Sequence, residues 1–351
     1  MSMATTTQAL DNVDKILLAE LQVQCPIDHR PFEILGQKLG ISEQECVARI
    51  GRLKKSGVIR QVSAIFDARA LGYDTTVAAM KVDPARADEA AQQLIRYPGV
   101  SNAYTLNDPF NLWSSVAVPP TDSLERVIKI LHALAQVDQT ILLPSVRCYK
   151  AGIEHDRTDE GFWLDDVDVV DEAQPAAAPK PQFTEQDLRF LRIVQEDLPL
   201  LELPFAVLAE QAESTEEELF AWLKRVEHLG YLRRFGAILS PPSEGSAHAI
   251  VVWQVPAQEV DAVGGEMARF REVSRCSRRP VYPNWPYALL TVIRASSPSA
   301  CMEAATRIES RVGHFPHKHL FSTKAHQRAR LTYFSQALET WWQDVGSRVD
   351  I

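Results

Sequence analysis

The feature that most constrains the fold is an internal repeat, because residues of the first half return in order in the second half. Asp14 recurs as Asp187, which is 173 positions later (187 minus 14). The same spacing relates seven further pairs: Pro26/Pro199, Pro31/Pro204, Phe32/Phe205, Gly57/Gly230, Arg60/Arg233, Ala64/Ala237 and Ile65/Ile238. A chain written this way folds as two copies of one unit. We therefore expect an intrachain pseudo-dimer.

The repeat changes its spacing once, and this locates an insertion. Ser101 and Ser274 still lie 173 positions apart, whereas Pro109 and Pro286 lie 177 apart. The second half thus carries four extra residues between Ser274 and Pro286. The two halves present equivalent segments of different length there.

Each half begins with three helical patterns and a strand. Apolar residues recur at helical spacing, Ser42 and Thr215 stand at N-cap positions, and Gly57 follows the third helix. Thr215 and Glu218 also fit a capping box. The predicted elements are helices 11–21, 32–39, 42–55, 184–195, 205–212 and 215–229, with strands 58–66 and 231–239. This order predicts a winged helix-turn-helix.

The rest of each half alternates as β-α-β-β-α-β. The predicted strands are 75–82, 100–104, 112–118, 141–150, 247–255, 273–277, 288–295 and 319–324, and the predicted helices are 85–95, 121–135, 257–270 and 300–312. This is a ferredoxin-like arrangement of the α+β class, with helices on one face of an antiparallel sheet. The other face needs a cover, and pairing the two halves sheet to sheet supplies one.

The patterns divide the chain into six parts. Asp165–Gln182 is acidic and then rich in Ala and Pro, which is typical of an extended linker. The predicted domains are winged helix-turn-helix 1 (10–66), ferredoxin-like domain 1 (67–156), the linker (157–183), winged helix-turn-helix 2 (184–239), ferredoxin-like domain 2 (240–335) and a C-terminal helix or tail (336–351).

Composition narrows the functional classes. The 37 basic and 46 acidic residues among 351 give a net charge of -9, which argues against a dominant nucleic-acid partner. No apolar run approaches the roughly 20 residues that span a bilayer, and Met1–Asn12 lacks a signal-peptide core, so we expect a cytoplasmic protein. The five cysteines are scattered, without any C-x-x-C pair, and indicate neither disulfides nor a thiolate metal site.

The run Arg275–Tyr287 combines arginines, aromatic rings, prolines and a thiol without helical or strand periodicity. Its prolines exclude a continuous helix or a central strand, so we interpret it as an ordered loop. Forked guanidiniums beside flat rings suit a planar ligand with several carboxylates. An arginine-stacked loop at a subunit interface is an equal alternative. The corresponding segment of the first half is Ser101–Trp113.

The winged helix followed by a ferredoxin-like domain resembles the Lrp/AsnC regulators, and several segments resemble one branch of that superfamily more closely. Residues 60–67, 71–73 and 79–82 (RQVSAIFD, LGY and AMKV) look like the first partner of the sirohaem (siroheme) decarboxylases. Residues 233–237, 251–256, 285–287 and 320–324 (RRFGA, VVWQVP, WPY and LFSTK) look like the second partner. The fused form resembles the NirDL type.

The resemblance implies the removal of two acetate carboxyls from sirohaem, an iron-containing tetrapyrrole, with no added cofactor and no dedicated metal site. Family members usually carry His-Asn-Tyr or His-Cys-Tyr followed by Arg; here the first half has Asn102-Ala103-Tyr104 and the second has Arg275-Cys276-Ser277 followed by Arg279. Both histidines are thus replaced. In their absence the candidate acids are Tyr104 and an imidazole supplied by His317 or His319 from a neighbouring strand. We expect Arg275 and Arg279 to anchor carboxylates that stay on the substrate.

Further side chains are candidates for substrate binding at the junctions and closing strands of each half. They are Arg60, Asn102, Trp113, Arg147, Lys150, Arg233, Arg234, Cys276, Arg278, Trp285, Tyr287, His317, His319 and Lys324. The alternatives are packing for the tryptophans, salt bridges or exposed sheet-edge charge for the basic residues, and ordinary surface positions for the histidines.

Two other functions remain open at this stage. A catalytically degraded subunit that scaffolds a paralogous decarboxylase would explain the missing histidines. A DNA-binding regulator would use Arg49, Arg52, Lys54 and Lys55 on the third helix, although the matching helix of the second half begins with Thr215 and three glutamates. We expect DNA binding to be absent, and the partners to be sirohaem, its product, paralogous subunits or a second copy of this chain.

Overall fold

The computed structural model describes residues 10–151, 181–239 and 247–345. Residues 157–180 of the predicted linker and the last six residues of the predicted C-terminal tail lie outside these ranges. The described residues form two units, one made of 10–71 with 181–239 and the other of 72–151 with 247–345. Within the described residues no helix is long and apolar enough to cross a membrane.

The described residues of the first half form five helices and six strands, and a short 3₁₀ turn at Pro84–Arg86 comes directly before the fourth helix. They are α1 (Asn12–Val23), α2 (Pro31–Leu39), α3 (Glu43–Lys55), β1 (Ile59–Phe66), β2 (Asp74–Lys81), α4 (Ala87–Leu94), β3 (Val100–Leu106), β4 (Leu112–Val118), α5 (Leu124–Ala135), β5 (Gln139–Leu142) and β6 (Arg147–Ala151).

The described part of the second half repeats this series and adds one helix. Its elements are α6 (Glu185–Val194), α7 (Pro204–Gln211), α8 (Glu216–His228), β7 (Leu232–Leu239), β8 (Ala247–Trp253), α9 (Val260–Ala268), β9 (Val273–Arg278), β10 (Leu289–Ala295), α10 (Pro298–Val312), β11 (His317–Leu320), β12 (Ser322–Arg328) and α11 (Gln336–Val345).

The first unit joins the two winged-helix segments through their strands. β1 pairs with β7 antiparallel, and the helices α1, α3 and α8 pack beside this two-stranded sheet. The N–H of Cys25 donates to the carbonyl of Phe235 at 2.6 Å, and the N–H of Leu198 donates to the carbonyl of Val62 at 2.7 Å. These two bonds are related by the 173-residue offset, so the pairing follows the sequence repeat.

The helix caps of this unit follow the predicted chemistry with one difference. Ser42 and Thr215 accept hydrogen bonds from backbone N–H groups three residues later, as N-cap hydroxyls do. Reciprocal capping boxes form at Asp11 and at Thr184. Thr215 does not form one, because the carboxylate of Glu218 contacts the hydroxyl of Ser214 instead.

The second unit contains two five-stranded antiparallel sheets. Their strand orders are β12-β3-β4-β2-β5 and β11-β8-β10-β9-β6. Four strands of each sheet come from one half in ferredoxin-like order, and the fifth comes from the other half. The sheets thus exchange their outer strands, β6 and β12.

This exchange corrects the two predicted closing strands, 141–150 and 319–324. Each of them is two strands separated by a crossing. β5 pairs with β2 in its own sheet while β6 pairs with β9 of the other half, and β11 pairs with β8 while β12 pairs with β3. Pro144 and Phe321 lie at the two crossings. Alternating polarity alone does not reveal a strand that changes sheets.

The two sheets pack face to face, as expected from the uncovered faces of the halves. The core between them combines Val77, Tyr104 and Trp113 from one sheet with Val252 and Val292 from the other. The opposite face of each sheet packs on its helices, through separate clusters that include Leu131 and Val116 in the first half. The C-terminal helix α11 adds Leu338 and Trp341 to that first-half cluster.

Candidate functional site

The run Arg275–Tyr287 begins as a strand and only then becomes a loop. Residues up to Arg278 belong to β9, and the remainder is closed by a bridge between Tyr282 and Trp285. Successive strand residues point to opposite faces. Cys276 lies in the core between sheet and helices, so Arg275 and Ser277 lie on the face toward the other sheet. The predicted loop is therefore shorter than its sequence suggested.

Buried arginine contacts connect this run to the crossing between β5 and β6. Arg279 is 2% exposed, and its Nε donates to Oγ of Ser277 at 3.0 Å while its Nη1 donates to the carbonyl of Leu143. The hydroxyl of Tyr282 donates to the carbonyl of Leu142 at 2.6 Å. Arg279 and the loop thus hold the crossing strand in place.

Cys276 has no reactive environment. Its side chain is fully buried and its Sγ donates to the carbonyl of Gly264 at 3.5 Å. Burial raises the pKa of the Cys276 thiol, so the thiolate is disfavoured at neutral pH. This position fits core packing better than contact with a ligand.

A cavity of about 860 Å³ is lined on one side by this loop. Its wall is mostly apolar, with polar groups supplied by Gln254, Arg278, Arg279, Tyr282 and His314. The volume is in the range of small-molecule and cofactor sites. Proline and aromatic surfaces beside the guanidinium of Arg278 suit a flat anionic molecule, whereas the guanidinium of Arg279 is buried and donates to Ser277 and Leu143.

Three predicted basic residues of strands β6 and β9 contact groups of the protein itself. Arg147 and Arg278 approach the carboxylate of Asp261, at 3.2 and 3.7 Å. Nζ of Lys150 donates to the carbonyl of Phe270 at 2.9 Å. A substrate carboxylate would have to compete with these contacts.

Lys324 lies elsewhere, on the exchanged strand β12. Its Nζ is 2.7 Å from the carboxylate of Asp88, which belongs to α4. Lys324 is therefore on the helix-covered side of its sheet, together with the first-half helices. It lies on a different face from Tyr104, which points to the core between the sheets.

The predicted histidines share a face with a tryptophan. The ring of His317 packs against Trp253 at a centroid distance of 4.5 Å and meets His319 edge-on at 5.1 Å. Nδ1 of His317 is 3.0 Å from the carbonyl of Phe315. Burial lowers the pKa of His319, with His317 adding to the effect. In the described residues no group of three or more metal-ligating side chains is arranged to hold a metal ion.

The predicted tryptophans take part in packing. Trp113 and Trp285 are 3% and 2% exposed, and their rings meet edge-on at 5.7 Å. The indole N–H of Trp113 donates to the carbonyl of Phe110 at 2.8 Å. Tyr287 packs edge-on against Trp285 at 5.0 Å and remains partly exposed. Of these three rings, Tyr287 is the most accessible to a ligand.

Arg60, Arg233 and Arg234 belong to the first unit. Arg233 binds Asp67 with two hydrogen bonds, of 3.0 and 2.7 Å, and stabilises the junction after β1. Arg60 is exposed on β1, and Arg234 is half-buried on β7. All three residues therefore lie on the paired strands β1 and β7 of the first unit.

Tyr104 is the centre of a polar group between the two sheets. Its hydroxyl donates to Oδ1 of Asn102 at 3.1 Å, and the guanidinium of Arg328 lies over its ring at 5.7 Å. Tyr104 and Asn102 are 5% and 8% exposed, whereas Arg328 on the edge strand is exposed. Burial raises the pKa of Tyr104 to about 12, and Arg328 acts against this shift. Tyr104 is therefore a protonated phenol at neutral pH.

His248 and Arg294 extend this polar group from the opposite sheet. They are direct partners in the β8–β10 ladder, and they share a face with Ile250 and Val292, which pack near Tyr104 in the core between the sheets. Burial, with the positive charges of Arg294 and Arg328, lowers the pKa of His248 to about 4. The imidazole is neutral at pH 7 and lies in a positive field that suits carboxylates.

The sequence reading missed His248, Arg294 and Arg328. No motif marks them, and the exchange of β12 between sheets is what brings Arg328 beside Asn102 and Tyr104. The repeat could have revealed them, because these three ionisable residues correspond to Thr75, Ala117 and Ala151 in the first half, none of which is ionisable at neutral pH. Ionisable side chains that appear in only one copy of a repeat mark a place where the copies differ.

The basic residues of α3 are directed toward neighbouring carboxylates. Arg49 and Arg52 contact Asp14 at 2.9 and 2.7 Å, and Lys54 contacts Asp197 at 2.6 Å. These ion pairs neutralise much of the basic group that a DNA-binding helix would present to phosphates.

Two family models match both halves of the chain. The model described as "Siroheme decarboxylase NirDL-like HTH domain" matches residues 14–60 and 187–233. The model described as "AsnC-like ligand binding domain" matches residues 70–150 and 245–327. Together they cover both winged-helix segments and both ferredoxin-like segments.

Individual relatives extend this match over nearly the whole chain. A siroheme decarboxylase of Hydrogenobacter thermophilus is 32% identical over 334 residues, covering 95% of this chain and 98% of the relative. A siroheme decarboxylase beta subunit of Methanosarcina barkeri is 37% identical over 128 residues, or 36% of this chain and 84% of that subunit. The crystal structure of the siroheme decarboxylase NirDL in complex with an iron-uroporphyrin III analogue superposes with a TM-score of 0.77 at 29% identity, covering 96% of this chain and 99% of that one.

Proposed function

The chain belongs to the sirohaem decarboxylase family, and from this premise we propose that it is a carboxy-lyase acting on sirohaem. It removes two acetate carboxyls and yields 12,18-didecarboxysirohaem, a step of haem d1 or of alternative haem biosynthesis. The observation that carries the proposal is the match of both halves to a single fused relative over 95% of this chain.

The reaction needs a place for electrons and a proton. Breaking the bond between the methylene and the carboxylate releases carbon dioxide and leaves an electron pair on a methylene attached to a pyrrole ring. Delocalisation into the macrocycle stabilises that pair, and a proton delivered to the carbon completes the methyl group. Each event consumes one proton and releases one carbon dioxide, so no oxidant or reductant enters. We therefore propose that no added cofactor is required.

The protein contributes binding and proton delivery. A contact that holds the departing carboxylate stabilises the ground state as much as the transition state, so it gives no acceleration. Cationic groups accelerate the reaction by fixing the carboxylates that remain and by orienting the reacting acetate near an acid. The second unit offers guanidiniums, an imidazole and a protonated phenol for these roles.

The direct test is anaerobic incubation of the purified full-length chain with sirohaem, followed by mass spectrometry of the tetrapyrrole. We expect a product lighter by two molecules of carbon dioxide, and release of carbon dioxide in the same ratio. Binding of sirohaem without any change in its mass contradicts decarboxylation and favours a catalytically degraded subunit that scaffolds a paralogous decarboxylase. Boiled protein and sirohaem alone are the controls.

We further propose that the fused chain supplies both partners of the reaction by itself, in the cytoplasm. Both halves carry both domain types, and one half-length relative is named as a beta subunit. Activity of the chain purified from a host without related genes supports this statement. Activity that appears only after a paralogous subunit is added contradicts it.

A further inference from the structure

The repeat relates two polar regions between the sheets, and they are built from equivalent positions. The first, here the Tyr104 end, consists of Asn102, Tyr104, His248, Arg294 and Arg328. The second, here the Ser277 end, consists of the corresponding residues Arg275, Ser277, Thr75, Ala117 and Ala151, at offsets of 173 or 177.

The strand ladders confirm that these positions are structurally equivalent. Arg294 pairs with His248 as Ala117 pairs with Thr75. Arg328 pairs with Asn102 as Ala151 pairs with Arg275. The correspondence is therefore one of hydrogen-bonded neighbours and faces, and is independent of any choice of sequence alignment.

The chemistry of the two ends differs at each of these positions. The Tyr104 end has a phenol, an imidazole, an amide and two guanidiniums, and it reaches solvent through the exposed Arg328. The Ser277 end has two hydroxyls, two methyl side chains and one guanidinium. That guanidinium, Arg275, is 2% exposed, and Ser277 is fully buried. Ala151, which corresponds to Arg328, is also exposed, so the two ends differ in their chemistry: the arginine of the Ser277 end, Arg275, lies in the interior.

We propose that both carboxyls of sirohaem are removed at the Tyr104 end, with His248, Arg294 and Arg328 as substrate-contacting residues, and that the Ser277 end is structural. This inference rests on the proposed function. The substrate is a tetrapyrrole macrocycle that carries several carboxylates. The guanidiniums of Arg294 and Arg328 lie on opposite sheets, where they bind carboxylates that stay on the substrate.

Proton delivery follows from the same geometry. When carbon dioxide leaves, the electron pair on the methylene carbon takes the proton of the Tyr104 hydroxyl, and a carbon–hydrogen bond replaces the lost carbon–carbon bond. The resulting phenolate is stabilised by the positive charge of Arg328, which lies over the Tyr104 ring. The amide oxygen of Asn102 accepts the hydrogen bond of the phenol and so orients its hydroxyl before the proton is transferred. A solvent proton that enters beside the exposed Arg328 then restores the phenol.

A single reacting end has a kinetic consequence. The two acetates cannot occupy it together, so the substrate must turn or rebind between the two events. A tetrapyrrole lighter by one carbon dioxide is expected to precede the final product during a time course.

The experiment compares equivalent substitutions at the two ends of the full-length protein. His248→Asn and Arg328→Met alter the Tyr104 end, and Thr75→Val and Ala151→Met alter the matching positions of the Ser277 end. Anaerobic single-turnover rates are measured by mass spectrometry, sirohaem binding is measured by absorbance, and folding is checked by circular dichroism. Arg294→Met provides a second variant if His248→Asn does not fold.

We expect the variants of the Tyr104 end to lose about a hundredfold in rate, a typical contribution of acid–base groups and their supports. Variants of the Ser277 end should stay within about twofold of the wild type, because a structural role leaves the chemical step unchanged. Equal losses at both ends, or wild-type rates in the His248 and Arg328 variants, overturn the inference. A wild-type protein without any decarboxylation overturns the proposed function itself, and is recognised before any variant is compared.

Discussion

The Tyr104 end and the Ser277 end occupy equivalent places between the two sheets, yet they have different side chains. At the first, Arg328 is exposed and lies over the ring of Tyr104 at 5.7 Å. At the second, Arg275 is buried and its strand partner is Ala151. The fold repeats at both ends, whereas the ionisable chemistry is concentrated at one.

This difference shows what fusion of two copies permits. In a symmetric homodimer every residue appears at both ends, so a side chain that serves chemistry at one end must also be accommodated at the other. A fused pseudo-dimer is free of this restriction. One end can keep a phenol, an imidazole and two guanidiniums while the other carries only one guanidinium.

The winged-helix segments show a similar divergence. Both α3 and α8 begin with acidic residues and end with basic ones, but α3 carries two glutamates and four lysines or arginines, whereas α8 carries four glutamates and two lysines or arginines. The paired strands β1 and β7 remain equivalent. The two winged-helix segments thus keep the pairing of their strands. Their third helices, α3 and α8, differ in net charge.

The largest expected effect comes from removing one hydroxyl at the Tyr104 end. Tyr104→Phe should lower the maximal decarboxylation rate by about a hundredfold, because a positioned acid contributes on that order. The substrate concentration for half-maximal rate should change little, since the ring is retained. Ser277→Ala removes the corresponding hydroxyl and should keep the wild-type rate. Similar losses in both variants would remove the distinction between the ends.

A smaller effect is expected on substrate binding. Arg294→Met should weaken sirohaem binding by about ten- to a hundredfold, because a charge-assisted hydrogen bond contributes roughly 1.5–3 kcal/mol. Arg311→Met, on the exposed side of α10, changes the net charge equally and is the control. Absorbance titrations at two salt concentrations measure both. Equal weakening in the two variants would indicate a general charge effect.

The stability of the protein should depend on His248 in mildly acidic solution. Its pKa is lowered from 6.5 to about 4 in the folded state, so the unfolded state binds more protons between these values. The free energy of unfolding therefore falls as pH decreases from about 6.5 to about 4. Denaturation curves should show a shallower pH dependence for His248→Asn than for the wild type. Identical slopes would contradict the buried, neutral imidazole.

The smallest expected signal is DNA binding. Because Arg49, Arg52 and Lys54 contact carboxylates within the first unit, we expect no sequence-specific retention of DNA in a mobility-shift assay. Asp14→Asn releases part of that pairing and should increase only weak, salt-sensitive retention. A specific shift by the wild-type protein would restore the regulator reading.

Much of the architecture was predictable because it depends on local patterns. The repeat predicted two copies, the apolar spacing predicted the helices, and alternation predicted most strands within a few residues. The sheet-to-sheet core followed from the uncovered faces. The exchange of β6 and β12 was not predictable, since a strand has the same alternation whichever sheet it joins.

The candidate site was predictable only in part, for the same reason. Tyr104 and Asn102 were found through the family motif to which their segment corresponds, and the structure brings them together. Arg147, Arg278 and Lys324 were also named, but each contacts a carboxylate of the protein. Whether a basic side chain faces a ligand or an internal acid depends on neighbours that are distant along the chain.

The sequence by itself determined that this protein is a duplicated winged-helix and ferredoxin-like chain, because periodicity, capping and the repeat are local properties. Its resemblance to the sirohaem decarboxylases came from short matching segments in both halves. Only the tertiary structure decided that the ends differ. The physical reason is that His248, Arg294 and Arg328 come from three strands in two sheets, and only strand exchange and face-to-face packing place their charges around one buried phenol.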